Sequence, residues 1–217
     1  MKPFDLSLYL VLDEALCRPR GMAETARAAV AGGATMVQLR DKHAGTAGLI
    51  SAGRELQATL AGSRAVLIIN DDPEAARALG VGLHIGQQDM QPREARARMG
   101  PDAILGLSVE TEAAARRVDA SLVDYVGIGP VFPTSTKPGH MPPTGIEGLA
   151  RLVALCPVPA VAIGGLKAGH VGAVLQSGAQ GLAVVSAICG TASPEAAARQ
   201  IAAMIAAWRA GNVPTPA

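Results

Sequence analysis

"AVLIINDDPEAARALGVGLHIG", residues 65–86, contains two apolar runs separated by a short alanine-rich segment. The runs "AVLIIN" and "GLHIG" have the length of strands, whereas "PEAARAL" has helical spacing and begins with a proline. Continuous apolar runs of this kind are typical of strands buried on both faces, which occur in parallel sheets covered by helices. The stretch therefore predicts a strand–helix–strand unit with parallel strands.

The same alternation extends in both directions along the chain. The apolar runs are "LYLVLD" (8–13), "TMVQLR" (35–40), "AVLIIN" (65–70), "GLHIG" (82–86), "AILGLS" (103–108), "DYVGIG" (124–129), "PAVAIG" (159–164) and "GLAVVS" (181–186). Alanine-rich segments such as "MAETARAAVAGG", "TEAAARRVDA" and "HVGAVLQSGA" separate them, and the glycines in "AGGAT" and "QSGAQG" are predicted helix C-caps. No linker interrupts the alternation, which predicts a single domain over residues 1–217 with a short flexible tail from about residue 211.

Eight strands alternating with helices in 217 residues predict a closed (β/α)₈ TIM barrel. The alternative is an open, doubly wound sheet. The dinucleotide fingerprint G-x-G-x-x-G is absent after the first strand, where the chain reads "LDEALCRPRG". This absence argues against a dinucleotide-binding fold and leaves other open sheets as the alternative.

Composition excludes several classes of function. Apolar residues make up 49% of the chain and charged residues 17%, with a formal net charge of +1. Such a balance provides no basic face for nucleic acid, so any anion must be bound locally by a few converging groups. The N-terminal stretch "MKPFDLSLYLVLDEALC" is too short and too acidic for a signal peptide or a membrane span. We therefore expect a soluble, cytoplasmic protein without a membrane partner.

The cysteines indicate neither a disulfide framework nor a zinc site. Cys17, Cys156 and Cys189 are odd in number and form no CxxC pair. We expect them to be buried, inert thiols.

Polar residues recur at the ends of the predicted strands. In a barrel these ends face one mouth, where barrel enzymes carry their chemistry. After the second strand, "QLRDK" places Gln38 and Arg40 on the same side of the chain, and Lys42 continues the row. A guanidinium and an ammonium that converge in this way suit a polyanion. The alternative is a solvated surface charge or a structurally paired arginine.

Carboxylates follow the third and fourth predicted strands. Asp71 and Asp89, with Asn70 beside them, could hold Mg²⁺, which takes one or two carboxylates together with phosphate oxygens and water. "NDD" before "PEAARAL" is equally typical of a helix N-cap, a role open to Asp72. Spacing alone does not assign the two roles between Asp71 and Asp72.

A third group of residues follows the last two strands. "IGG" (163–165) and "VS" (185–186) stand where barrels commonly bind phosphate through backbone N–H groups. Glycines at strand ends also occur for steric reasons, so Gly164 and Gly165 indicate a phosphate site only in combination with Ser186. Two anion sites on opposite strands imply two phosphorylated partners.

The motifs together resemble the thiamine-phosphate synthase family. They are, in order, "VQLRDK", "INDD", "HIGQQD", "GLS", "DYVGIGPVFPTSTK", "AIGG" and "VVSAI", and the resemblance covers essentially the whole chain. It implies a (β/α)₈ barrel that joins a hydroxymethylpyrimidine diphosphate to a thiazole phosphate. The products are thiamine phosphate and pyrophosphate, and Mg²⁺ is required.

The resemblance also implies roles for individual residues. Gln38 would contact the pyrimidine, and Asp71 and Asp89 would hold Mg²⁺. The residues around the diphosphate would be Arg40, Lys42, Asn70, Ser108 and Lys137, of which all but Asn70 would be catalytic. The thiazole phosphate would be bound by Thr134, Thr136, Gly165, Ser186 and the backbone of Val185.

Two positions depart from the family pattern. The first strand ends in Leu12-Asp13, where Thr-Asp is common, which bears on the floor of the pyrimidine site. The spacer between "NDD" and "HIGQQD" is one residue short. It falls in a link from helix to strand, and we expect it to be neutral.

Other functions would use only part of these residues. A thiazole tautomerase would need the phosphate cradle but no diphosphate site, and a Schiff-base aldolase would need Lys42 or Lys137 in an apolar pocket. A non-catalytic phosphate sensor would need no Mg²⁺. The sequence leaves the oligomeric state open, a homo-oligomer included.

The histidines lack metal-ligand spacing. His84, inside a strand, is predicted to be a hydrogen-bonded core residue. His140 lies in "PGHMPPTG", which is predicted to be a lid that orders over bound substrate.

Overall fold

The computed structural model describes residues 3–87, 89–134, 136 and 141–211. They form a closed barrel of eight parallel strands in which each strand pairs with the next. The first strand pairs with the last through Leu8–Leu182, Tyr9–Ala183 and Leu10–Val184. The predicted (β/α)₈ barrel is confirmed, and the alternative of an open sheet is wrong.

Each of the predicted apolar runs coincides with a strand to within two residues at either end. The strands are β1 (Leu8–Asp13), β2 (Met36–Arg40), β3 (Val66–Asn70), β4 (Gly82–Ile85), β5 (Leu105–Val109), β6 (Tyr125–Ile128), β7 (Ala160–Ile163) and β8 (Gly181–Val184). The helices of the described residues are α1 (Glu14–Cys17), α2 (Met22–Ala31), α3 (Gly45–Thr59), α4 (Pro73–Leu79), α5 (Pro92–Met99), α6 (Glu112–Ala115), α7 (Gly145–Leu155), α8 (Val171–Gln176) and α9 (Pro194–Arg209), with a 3₁₀ turn over Ala168–His170. In the described part of the chain, no helix is long and apolar enough to cross a membrane.

The predicted glycine caps end two helices. After α2, Gly33 has a φ of 107°, and the N–H groups of Gly33 and Ala34 donate to the carbonyls of Val30 and Ala29, both at 3.0 Å. This pairing is the Schellman motif, which satisfies carbonyls left open at a helix end. After α8, Gly178 has a φ of 91° and donates to the carbonyl of Leu175 at 3.1 Å.

The core has two layers, because successive residues of a strand face opposite sides of the barrel wall. Tyr9 and Val11 of β1 pack inside the barrel, with residues such as Met36, Ile68 and Tyr125. Leu10 and Leu12 pack in the larger layer between the barrel and its helices. Leu12, the departure from the family pattern, is therefore a residue of the outer layer that also borders the mouth of the barrel.

A buried ion pair fastens the N-terminal end of the barrel. Arg96 of α5 donates to Asp124 just before β6 at 2.8 Å, with side chains only 13% and 10% exposed. Asp124 also accepts the N–H of Leu105 at 2.7 Å, and Arg96 donates to the carbonyls of Leu122 and Ala103 at 2.9 and 2.6 Å. One arginine thus joins α5 to the starts of β5 and β6.

The two ends of the described chain meet at the same side of the barrel. Arg209, the last residue of α9, donates to Ser7 Oγ and to the carbonyl of Gln180, both at 2.6 Å. Ser7 immediately precedes β1, and Gln180 immediately precedes β8. The contact therefore supports the seam where β1 and β8 close the barrel.

The cysteines form no disulfide. Cys17 and Cys189 are buried as predicted, whereas Cys156 is partly exposed. A hydrogen bond from Cys189 is the main reason why the pKa of Cys17 falls to about 7. The expectation of burial is therefore wrong for Cys156 and confirmed for Cys17 and Cys189.

Candidate active site

The C-terminal ends of the strands surround one cavity of ≈ 390 Å³. The predicted site residues that line it are Gln38, Arg40, Lys42, Asn70, Asp71, Asp89, Ser108, Thr134, Thr136, Gly165, Val185 and Ser186. Lys137 and His140 lie outside the described residues, as do Pro138 and Gly139 at the start of the predicted lid, whereas its residues 141–145 are described. Closure of the barrel thus brings together residues that are up to 148 positions apart in the chain, from Gln38 to Ser186.

The cationic side of the cavity is formed by the end of β2 and the segment after it. Gln38 is buried, Arg40 is half-buried and Lys42 is exposed at the rim. The ion pairs of the described residues use other arginines, namely Arg18, Arg27, Arg96, Arg98, Arg116, Arg151 and Arg199. Arg40 is therefore not a structurally paired arginine in the described part of the chain, and its charge is directed at the cavity.

Asp71 and Asp72, which spacing could not separate, have different roles. Asp72 caps α4, since its Oδ1 accepts the N–H of Ala75 at 2.8 Å and its Oδ2 accepts the hydroxyl of Thr46 at 2.6 Å. Asp71 has a φ of 62° and borders the cavity. The helix cap is thus Asp72, and the cavity carboxylate is Asp71.

Asp71 and Asp89 form a carboxylate pair. The pKa of Asp71 is raised to about 6, mainly by burial and in addition by the hydrogen bond and negative charge of Asp89. Asp89 is oriented by the N–H of Gly86 at 2.8 Å, and Asn70 donates to Asp71 Oδ2. Two adjacent carboxylates can share a proton or a cation.

This donor set fits Mg²⁺ better than a metal that needs a full protein cage. The described residues contain no cluster of three or more His, Cys, Asp or Glu residues able to hold a metal. Mg²⁺ keeps several waters and is commonly bound by one or two carboxylates plus substrate phosphates. Asp71 and Asp89 supply two carboxylates of the kind such a site needs.

The glycines after β7 have a steric role and also border the cavity. Gly164 and Gly165 have φ values of 98° and 67°, and a Cβ on Gly165 would lie 2.6 Å from the carbonyl oxygen of Pro133. The N–H of Phe132 donates to the carbonyl of Gly164 at 3.0 Å, so the segment after β6 lies directly against the segment after β7. Only glycine fits against Pro133 at this position without strain. Gly165 itself lies at the surface of the cavity.

Hydroxyl groups surround these glycines. Thr134 Oγ1 accepts the N–H of Thr136 at 3.3 Å, and both threonines border the cavity. Ser186 lies across from them after β8, and Lys167 Nζ donates to Ser186 Oγ at 3.1 Å. Lys167 was missed from the sequence, where its only distinguishing feature is its position two residues after Gly165.

A chain of hydrogen bonds crosses the barrel floor below the cavity. Gln38 Nε2 donates to the hydroxyl of Tyr9 at 2.8 Å, and that hydroxyl lies 2.9 Å from the hydroxyl of Tyr125. Tyr125 is 3.0 Å from His84 Nδ1, and His84 Nε2 is 3.0 Å from Ser108 Oγ. His84 is buried and hydrogen-bonded as predicted, and it links two predicted site residues, Gln38 and Ser108.

The tyrosines in this chain stay neutral, because burial raises the pKa of Tyr9 and Tyr125 well above its usual value. In one consistent arrangement, each group donates a hydrogen bond to the next, in the order Gln38, Tyr9, Tyr125, His84 and Ser108. Gln38 Oε1 and the hydroxyl hydrogen of Ser108 then remain for a ligand. The sequence did not identify Tyr9 and Tyr125, nor Gln87 and Glu110, which also line the cavity.

A closed parallel barrel whose C-terminal mouth gathers cations, a carboxylate pair and a wall of glycines and hydroxyl groups defines a barrel enzyme that acts on small molecules. A family model described as thiamine monophosphate synthase matches residues 8–188. The chain therefore belongs to the thiamine monophosphate synthase family and is a transferase.

Individual relatives agree with this assignment. The chain is 46% identical over 202 residues to a thiamine-phosphate synthase of Psychrobacter sp. (strain PRwf-1), covering 91% of this chain and 94% of that protein. It is 48% identical over 204 residues to the thiamine-phosphate synthase of Azorhizobium caulinodans, covering 94% and 96%. Among solved structures, thiamine phosphate pyrophosphorylase from Pyrococcus furiosus superposes with a TM-score of 0.83 at 31% identity, covering 93% and 96%.

Proposed function

We propose that this protein joins 4-amino-2-methyl-5-hydroxymethylpyrimidine diphosphate to 4-methyl-5-hydroxyethylthiazole phosphate, forming thiamine phosphate and pyrophosphate. The observation that carries the proposal is the single cavity that collects the two predicted anion sites from different strands. The names of the relatives support the same reaction. A cytoplasmic location, predicted from the sequence, is part of the proposal.

The pyrimidine diphosphate would lie on the side of β2 to β5. Gln38, fixed by Tyr9, presents its amide to the aminopyrimidine ring. Arg40 and Lys42 bind the diphosphate as cations, and Asn70 and Ser108 as hydrogen-bond donors. Lys137, outside the described residues, would complete the set from the segment after β6.

Asp71 and Asp89 would hold Mg²⁺, which when bound offsets the negative charge of the diphosphate. Because the pKa of Asp71 is raised to about 6, a proton and Mg²⁺ would compete for this carboxylate. Asn70 keeps the Asp71 carboxylate oriented by donating to its Oδ2.

The thiazole phosphate would lie on the side of β6 to β8. Gly165 and the backbone of Val185 offer N–H groups, and Thr134, Thr136 and Ser186 offer hydroxyls. The segment after β6 carries both threonines and is packed against the segment after β7, which fixes these groups relative to one another.

Chemistry then requires one bond to break and one to form. The bond between the exocyclic carbon and the diphosphate oxygen breaks, and pyrophosphate leaves with the electron pair. Positive charge develops on the carbon, where the electron-rich aminopyrimidine spreads it, and the thiazole nitrogen attacks. Arg40 and Lys42 stabilise the charge that builds on the leaving oxygens, while proximity favours the attack. No general base is needed, because the nitrogen already has a lone pair.

The alternatives use less of the site. A thiazole tautomerase has no use for the cations of β2 or the carboxylate pair. A Schiff-base lysine needs an apolar pocket, whereas Lys42 is exposed and interacts electrostatically with Asp71. A phosphate sensor would leave the carboxylate pair without a role.

One assay tests the proposal directly. The purified protein is incubated with both phosphorylated heterocycles and Mg²⁺, and pyrophosphate is measured together with thiamine phosphate. We expect equal amounts of the two products, and none when either heterocycle is omitted. Pyrophosphate released without the thiazole would indicate a hydrolase, and thiazole isomerisation without pyrophosphate would indicate a tautomerase. Either result would contradict the proposed function.

A further inference from the structure

Lys167 lies on the phosphate cradle, although none of the sequence motifs includes it. Its ammonium group donates to Ser186 Oγ at 3.1 Å, which places a positive charge next to a hydroxyl of the cradle. Lys167 is exposed and follows Leu166, which lines the cavity, so its ammonium group lies at the rim beside Ser186.

The backbone of Lys167 is anchored through His170 to the segment after β6. Its N–H donates to His170 Nδ1 at 3.1 Å. The ring of His170 stacks on Phe132 with a centroid distance of 4.3 Å and an interplanar angle of 33°. Phe132 belongs to the segment that carries Thr134 and Thr136, so the lysine is linked to the segments after β6, β7 and β8.

The neutral form of His170, which this anchoring needs, is favoured by its surroundings. Partial burial lowers the pKa of His170, and the charge of Lys167 lowers it further. A neutral imidazole can accept the N–H of Lys167 at Nδ1, whereas an imidazolium cannot.

The cradle itself contains no charged side chain. Gly165, Thr134, Thr136 and Ser186 offer only backbone N–H groups and hydroxyls. A phosphate monoester carries a charge of about −1.5 to −2 at neutral pH. Hydrogen bonds from neutral donors bind such an anion more weakly than charge-assisted ones.

Few other cations are available on this side of the barrel. Between the start of β6 and the end of the cradle, at residues 125–186, the cationic side chains are Lys137, Arg151 and Lys167. Arg151 lies in α7, with its Nε 3.7 Å from Glu112. Lys137 lies outside the described residues, and we have assigned it to the diphosphate.

We propose that Lys167 is a binding residue for the phosphate group of the second substrate, whose charge its ammonium group pairs with directly. The identity of that substrate rests on the proposed function, whereas the recognition chemistry applies to any phosphate monoester. The cradle supplies shape and hydrogen bonds, and Lys167 supplies the charge that distinguishes the phosphate from the free alcohol.

Steady-state kinetics on Lys167→Met test the proposal. We expect KM for the thiazole phosphate to rise about tenfold, while KM for the pyrimidine diphosphate stays within about twofold. Lys167→Arg should restore most of the affinity, because a guanidinium also pairs with phosphate. The matched control is Arg64→Met, which removes one exposed charge just before β3, at the opposite end of the barrel, and should behave as the wild type.

A purely structural role of Lys167 predicts a different pattern. If the lysine only held Ser186 in place, Lys167→Met would cause no further loss of affinity for the thiazole phosphate in a Ser186→Ala protein, whereas direct pairing of charges predicts a further loss of about tenfold. No further loss in the Ser186→Ala protein, or an unchanged KM for the phosphate in Lys167→Met, would overturn the proposal. Circular dichroism of the variants establishes that they are folded.

Equilibrium binding separates this inference from the proposed function. Calorimetry with the thiazole phosphate alone, and with inorganic phosphate, needs no turnover. We expect Lys167→Met to weaken both by about tenfold and to leave the alcohol unchanged. If the wild type binds these phosphates but releases no pyrophosphate, the proposed reaction is wrong. The binding data still test the role of Lys167 in that case. If the wild type turns over and Lys167→Met binds normally, only the role of Lys167 is wrong.

Discussion

At the scale of single residues, Asp71 combines an unusual backbone with an unusual charge. It is the described non-glycine residue with a positive φ, and that region costs a residue with a Cβ about 1 kcal/mol or more. Its carboxylate is half-buried beside Asp89, which disfavours ionisation. The fold therefore maintains Asp71 against two unfavourable terms, as is common for residues at functional sites.

Asp71→Asn should stabilise the metal-free protein while abolishing activity. The pKa of Asp71 is raised from 3.8 to about 6, so its favourable contribution to folding is complete below about pH 3.8 and is lost as pH rises through about 6. Asparagine cannot ionise and also tolerates a positive φ. We expect a gain of about 1 kcal/mol in the free energy of unfolding at pH 7.5, shrinking toward zero at pH 4, in urea titrations with a chelator present.

The control for this prediction is Glu55→Gln, which neutralises an exposed carboxylate of α3. It should change the free energy of unfolding little at either pH. A stability gain of Asp71→Asn that is the same at pH 4 and pH 7.5 would show that the backbone, and not the charge, is responsible.

Mg²⁺ binding to the free protein should weaken in acid. A proton and a cation compete for the Asp71–Asp89 pair, and the pKa of Asp71 is about 6. The dissociation constant for Mg²⁺ should therefore be nearly constant above pH 7 and rise by up to about tenfold per pH unit below pH 6. Calorimetry at pH 5, 6, 7 and 8 without substrates measures this directly, and a constant affinity would contradict a site at these carboxylates.

The sequence predicted which types of residue form the site better than it predicted the role of each residue. Gln38 and Arg40 were placed on one side by the period of a strand, and both line the cavity. Asp71 and Asp72 share one strand end, and only the left-handed backbone at Asp71 separates them. Lys167 could not be identified, because its contact with Ser186 depends on how the segments after β7 and β8 approach each other.

At the scale of elements, the strands were predicted almost to the residue and the helices less well. "TEAAARRVDA" has helical spacing, yet α6 ends at Ala115. The N–H groups of Arg117 and Val118 then bond three residues back, to Ala114 and Ala115 at 3.1 and 3.2 Å. This tighter turn buries Val118 in the outer layer of the core, a tertiary effect that local spacing does not reveal.

The hydrogen-bonded chain across the floor joins five strands, and Tyr125→Phe should break it in the middle. Removing the hydroxyl leaves the aromatic packing in place and separates Tyr9 from His84. We expect a loss of about 1–3 kcal/mol in the free energy of unfolding, because a buried polar group loses a partner. KM for the pyrimidine diphosphate should rise, while KM for the thiazole phosphate should not.

Tyr9→Phe provides the matched variant for a double-mutant cycle. If the two hydroxyls act through one chain, the double variant Tyr9→Phe/Tyr125→Phe should lose less stability than the sum of the single losses. Additive losses, or equal changes in KM for both substrates, would contradict a chain that orients Gln38.

At the scale of the whole molecule, the two ends of the barrel differ in the kind of polar interactions they contain. The mouth carries polar groups directed at a cavity, whereas the opposite end is fixed by the ion pair of Arg96 and Asp124. Barrel enzymes commonly separate activity and stability between these ends. The eightfold repeat let the sequence predict the barrel, whereas this ion pair was missed, because Asp124 reads as the start of a strand and Arg96 as a helix surface residue.

Arg96→Met should therefore destabilise the protein without changing its kinetics. The substitution leaves Asp124 buried without its arginine, and such losses cost about 3–5 kcal/mol. Arg98→Met is the matched control in the same helix, since Arg98 and Glu94 are 44% and 52% exposed and their pair contributes about 0.5 kcal/mol or less. Thermal unfolding measures the difference. A change in KM for either substrate would show that the two ends are coupled.

The contact of Arg209 with Ser7 and Gln180 has a consequence for engineering. Because Arg209 and Ser7 are in contact beside the seam, a short peptide linker could join the end of α9 to the start of β1 in a chain trimmed to residues 3–211, and new ends could then be opened in an exposed connection such as the one between α3 and β3. The circularly permuted protein would carry every strand in its native neighbourhood, and we expect it to refold into the same barrel.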